Sequence, residues 1–173
     1  MENRIDFIRE NSNSFLTYYV GEELYASHVA NIISILEVPR LTKIPDSPGF
    51  VAGVMNFRDA VLPVVDLRIK FNMPPVKKTI SSCVLVIDAE NHNEIIKTGL
   101  LVDAVGEVAR IDGAKIMPLP AIDDFKNSDF IYGMVEKGNQ PILLLDVNLI
   151  LSKKEINQVN RHLQTVNEVE VKS

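Results

Sequence analysis

Three histidines, one cysteine, a pair of adjacent aspartates and two charges set among apolar residues are the groups with which this 173-residue chain could do chemistry. Zinc would need several histidine, cysteine or carboxylate ligands at short spacings. His28, His92 and His162 stand far apart, and none has a second histidine or a cysteine at ligand spacing. Acyl transfer would need an activated nucleophile, but no G-x-S-x-G turn is present. Cys83 lies in the strand-like run SSCVLVI and reads as a small buried filler rather than a reactive thiol. The phosphate-cradling patterns GxxxxGK[ST] and GxGxxG are absent. Asp123 and Asp124 could share a proton, yet their setting, AIDDFKNSD, reads as a solvated loop. The charges that stand out are Arg58, at a turn between apolar strands, and Glu37, inside SILEVP. Such charges either face solvent or meet a partner, so the residues argue for binding rather than catalysis.

The bulk properties narrow the class. A chain of this length folds as one domain or two small lobes and needs no disulfide staple. Apolar residues make up 46% and charged residues 24%, a soluble globular balance. The net charge is −5 and no lysine- or arginine-rich run exists, which disfavours nucleic acid as a partner. The opening MENRIDFIRENSNS is not the pattern of a secretory signal, and the apolar runs fall short of the ~18 residues that a membrane helix needs. A cytoplasmic protein without membrane insertion, metal or cofactor is expected.

The elements that position Glu37 and Arg58 are short strands. Residues 1–13 read as an arm. FLTYYV and LYAS flank a Gly21 turn as a hairpin. HVANIISIL carries apolar residues at helical spacing and reads as a short helix, and ILEVPRLTKIP returns to extended chain. Val54, Met55 and Phe57 form one strand and AVLPVV the next, with Arg58-Asp59 at the turn between them. Asp66 caps a short helix. SSCVLVIDA and IIKTGLLVDAV form a further hairpin around ENHN. The terminal residues 153–173 carry apolar positions at 156, 159, 163 and 166, an amphipathic helix expected to pack loosely or project.

The chain also repeats itself. EVPRL at 37–41 recurs as EVARI at 107–111. Gly53 precedes Asp66 by the same interval, 13 residues, as Gly133 precedes Asp146 (66 − 53 and 146 − 133), and the apolar positions between them correspond. The expected architecture is therefore all-β: two related small barrel lobes, about 14–76 and 79–152, pressed together with short helical turns. The second hairpin carries the ordinary turn residues Gly138-Asn139 where the first carries Arg58-Asp59, so the first copy has a feature that folding alone does not require.

The stretch GEELYASHVANIISILEVPRLTKIPDSPGFVAGVMNFRDAVLPVVDLRIKF resembles the CheW-like domain of bacterial chemotaxis coupling proteins. The matching positions include Gly21, Glu37-Val38 with Arg40, Gly53, Asn56 with Arg58, and Pro63 through Arg68; the likeness extends over about 14–152. It implies two SH3-like five-stranded β-barrels and an adaptor with no enzyme activity. The implied partners are chemoreceptor signalling tips and the regulatory domain of the histidine kinase CheA, which would meet mainly the end of the first barrel. By the same resemblance, Glu37 and Arg58 are the charged coupling positions, Asn56 and Phe57 shape their hairpin, and Val38, Val105 and Val108 line an apolar groove for receptor helices. The family has glycine where this chain has Asp59, a substitution expected to tune partner choice through its charge beside Arg58. The alternatives are a coupling protein of another chemosensory pathway, such as surface motility, and a small hydrolase or metal enzyme.

Overall fold

The computed structural model describes residues 13–75, 77–91, 93–119 and 129–161. The N-terminal arm apart from Asn13, His92, Asp123-Asp124, His162 and the last apolar positions of the terminal segment lie outside the described residues. Among the described residues ten strands build two five-stranded sheets. In chain order they are β1 (Ser14–Val20), β2 (Glu23–His28), β3 (Ile32–Glu37), β4 (Val51–Phe57), β5 (Ala60–Asp66), β6 (Cys83–Asn91), β7 (Glu94–Val102), β8 (Ala104–Arg110), β9 (Ile131–Lys137) and β10 (Gln140–Leu145). Among the described residues helical structure is confined to short turns, such as Leu67–Lys70, and a closing helix over 153–161.

The sheets are not the two contiguous lobes 14–76 and 79–152 that the repeat suggests. One sheet runs β8-β1-β2-β10-β9 and the other β3-β6-β7-β5-β4. Each half of the chain therefore gives its first hairpin to the sheet built by the other half. The exchange is stitched by parallel pairing of β2 with β10 and of β5 with β7. Both parallel ladders begin one residue after a proline, at Val64 beyond Pro63 and at Ile142 beyond Pro141, because proline has no amide to donate. The repeat itself survives as a correspondence of parts. Thr42 bridges Val54 as Met117 bridges Met134. The Asp66 amide donates to Phe50 and the Asp146 amide to Phe130, and each aspartate then caps the helical turn that follows.

HVANIISIL is not a helix. Only Val29–Asn31 make a 3-10 turn, and the β-branched Ile32, Ile33 and Ile35 continue as β3 against β6. Neither hydrogen-bonded ladder closes on itself, so the structure shows two sheets rather than sealed barrels. The largest apolar cluster joins them, taking Tyr18 and Tyr25 from one sheet and Leu85 and Leu100 from the other. The buried Tyr18 hydroxyl is satisfied: it meets Ser27 at 2.7 Å, and Ser27 donates to the Leu145 carbonyl at 3.1 Å. Burial raises the Tyr25 phenol to about 12, so it stays neutral there. Arg68, on the turn after β5, grips Asp103 between β7 and β8 with bonds of 2.8–3.1 Å, and Asp103 also accepts from the Gly21 amide.

Candidate protein-binding surface

The β4–β5 hairpin pairs Phe57 with Ala60, which leaves a two-residue turn, Arg58-Asp59. Both residues have positive φ, 47° and 64°. That is the requirement of a type I′ turn, the form whose twist matches the strands and which usually carries Asn-Gly. Arginine in the left-handed region is a strained choice, and such strain persists where the side chain has another task. In the second hairpin only Gly138 is left-handed. Asn56, Arg58 and Asp59 are exposed and Phe57 is half-buried. The Arg58 guanidinium lies over the Phe57 ring, 4.9 Å from its centre. Among the described residues Arg58 and Asp59 form no ion pair, so the charge of Asp59 is presented alongside Arg58 rather than spent on it.

Glu37 and Val38 lie at the opposite edge of the sheet, and the chain that follows them reaches this hairpin. β3 and β4 are the two edge strands, but the chain beyond β3 curls across, and Thr42 exchanges backbone hydrogen bonds with Val54 at 2.8 and 3.0 Å. Gly53 permits the crossing: a Cβ there would lie 2.8 Å from the Thr42 carbonyl oxygen, and its φ is 154°. Val38, Leu41 and Phe57 consequently pack on the same small core, around Met55 and Leu62. Glu37 is exposed at the end of β3, opposite Cys83. Cys83 is half-buried rather than buried, and burial together with the Glu37 charge raises its thiol, which opposes thiolate formation.

Five of the seven expected site residues are thus gathered on one sheet: Glu37, Val38, Asn56, Phe57 and Arg58. Val105 and Val108 lie on β8, the edge strand of the other sheet. Val105 packs against the cluster that joins the sheets, while Val108 is 58% exposed. The His28 Nδ1 accepts from the Ala30 amide at 3.2 Å, and its ring meets Phe15 edge-on. Among the described residues no three histidine, cysteine or carboxylate side chains converge as a metal site would require.

Two features escaped the sequence reading. The Arg68–Asp103 grip joins residues 35 apart in sequence, and nothing local announces it. The closing helix does not project: Ile156 and Val159 are 6% and 3% exposed. Its signal was present as S-x-x-E at Ser152–Glu155, in which the Ser152 hydroxyl accepts from the Glu155 amide and Glu155 accepts from the Ser152 amide.

The family profile described as the CheW-like domain matches residues 14–155, from the start of β1 into the closing helix. The chain belongs to the CheW-like domain family. A chemotaxis protein CheW of Helicobacter pylori is 32% identical over 140 residues, covering 80% of this chain and 81% of that one. A chemotaxis protein CheW of Klebsiella aerogenes is 27% identical, covering 84% and 86%. The crystal structure of the scaffolding protein TtCheW from Thermoanaerobacter tengcongensis superposes with a TM-score of 0.72 at 26% identity, covering 83% of this chain and 94% of that one. The match of the CheW-like domain takes in every strand of both sheets, so the exchanged hairpins are part of the matched region.

Proposed function

We propose that this chain is a chemotaxis coupling protein: a scaffold, without turnover of its own, that joins chemoreceptor signalling tips to the regulatory domain of the histidine kinase CheA and thereby sets kinase activity in two-component signalling. The observation that carries the reading is the CheW-like match across both sheets. The surface agrees with it. A solvated turn would not need arginine in a strained conformation, whereas a partner carboxylate would reward it. Glu37, at the end of β3 on the same sheet, offers the opposite charge, so the two residues can fix the register of a charged helix. Val38 and Phe57 supply apolar contact on the same lobe, and Val105 and Val108 supply it across the groove. In this reading the kinase domain meets mainly the end of the lobe that holds β4 and β5.

In this reading each sheet is an SH3-like barrel. The Thr42–Val54 and Met117–Met134 bridges support it, since each draws the chain beyond one edge strand, β3 or β8, onto the other, β4 or β9. The place of work is the cytoplasm, against membrane-anchored receptor arrays. No helix among the described residues is long and apolar enough to cross a membrane. The test is a pull-down of the full chain with a receptor signalling tip and with a kinase regulatory domain, followed by a receptor-dependent kinase assay. Capture of both and restored activation are expected; capture of neither overturns the reading.

A further inference from the structure

We infer that the closing helix is a buttress for the Arg58 hairpin, with Val159 and Glu155 as positioning residues; the inference rests on the proposed coupling function. The helix is fixed at its start and lies against the hairpin further on. At its start, one oxygen of Glu155 accepts from the Ser152 amide and completes the cap, while the other meets the Lys70 ammonium. Lys70 in turn lies 4.5 Å above the centre of the Phe50 ring, and the Phe50 carbonyl accepts from Asp66 at the end of β5. One carboxylate therefore ties the helix to the end of the strand whose beginning carries Arg58-Asp59.

One turn later Val159 closes a narrow apolar void with Ile44, Pro48, Val51, Val54 and Pro63. Val54 and Pro63 are cross-strand partners in the hairpin, so the void that Val159 borders is lined by both of its strands. Asn160 borders the hollow lined by Ala60, Val61 and Leu62, the residues that follow the turn. A two-stranded ribbon at a sheet edge is a flexible lever, and a side chain wedged over both strands limits its swing. Arg58 and Asp59 are not among the residues that line this void with Val159, so loss of the wedge acts on Arg58 through orientation of the hairpin rather than contact.

The experiment uses the full chain with Val159→Ala, Val159→Ile and Glu155→Gln. Amide hydrogen exchange is followed over 54–63 and, as a reference, over β1 and β10. Binding to a receptor signalling tip is titrated in parallel. Val159→Ala is expected to speed exchange over 54–63 about tenfold with the reference strands unchanged, and to weaken receptor binding several-fold. Val159→Ile, which keeps the wedge, should match the parent. Glu155→Gln retains a capping oxygen but loses the charge facing Lys70, and should shift both readouts in the same direction by less. It is also the variant that decides the matter if Val159→Ala does not fold. Exchange that rises equally in all strands, or a hairpin that loosens without weaker binding, overturns the inference. A parent chain that fails to bind the receptor tip overturns the coupling function instead.

Discussion

Arg58 holds a backbone conformation that costs a non-glycine residue roughly 1–2 kcal/mol, and the stack on Phe57 returns only about 0.5–1 kcal/mol at an exposed site. Stability alone would therefore replace the pair by the favoured turn. The double substitution Arg58→Asn with Asp59→Gly is expected to raise stability by about 1 kcal/mol, read as a higher denaturant midpoint at unchanged slope, while receptor-dependent kinase activation is lost. A drop in stability would mean that the stack accounts for arginine at this position. Arg58→Ala keeps the strain and removes the anchor, so it should cost about 2 kcal/mol of receptor affinity with the fold intact. Glu37→Lys should lower coupling as well, by reversing a charge that no ion pair among the described residues offsets. Asp59→Gly tests the departure from the family glycine: an altered ranking of receptors is expected, and an identical ranking in pull-downs would remove Asp59 from the account.

Among the elements, strands and turns were legible and partners were not. Asp66 as a cap, the Gly21 hairpin and the Arg58-Asp59 turn follow from local chemistry, and all three are found. HVANIISIL misled because three-residue spacing of isoleucines fits a helix as well as a bulged strand, and β3 does carry a register shift between Ile32 and Ser34. The closing helix misled in the other direction: its apolar stripe was visible, but its docking depends on Lys70 and Phe50, distant in sequence. That docking has a pH signature. Burial raises the Glu155 carboxyl, and the hydrogen bonds from Lys70 and the Ser152 amide outweigh it, leaving the group below its ordinary value. A carboxyl lowered by folding contributes stability that is complete above its unfolded pKa, about 4.3, and that disappears as pH falls through the lower folded value. Acid should therefore narrow the stability difference between the parent and Glu155→Gln, and thermal melts at pH 7 and pH 3 would measure it. A difference that stays constant would deny the carboxylate this part.

For the molecule as a whole, the duplication read in the sequence is real, yet its two copies are not its two sheets. Periodicity tells which face of a strand is apolar and is silent about which strand lies beside it. TGLLV and ILLLD are apolar at nearly every position, as strands buried on both sides must be, and each pairs in parallel with a strand from the other half. The exchange makes the halves interdependent. Cut near residue 78, the first fragment would keep β3 without its partner β6, and its β1–β2 hairpin without β8, β9 or β10. The second would keep β6 and β7 without β3, β4 or β5. An isolated hairpin is marginal in water, and the apolar cluster that joins the sheets would be divided between the fragments. Fragments 1–78 and 79–173 are each expected to lack a cooperative thermal transition. Mixed at equal concentration they should assemble one-to-one and recover the parent's circular dichroism and receptor binding. Contiguous lobes would behave otherwise, since each fragment would melt cooperatively by itself and mixing would add nothing.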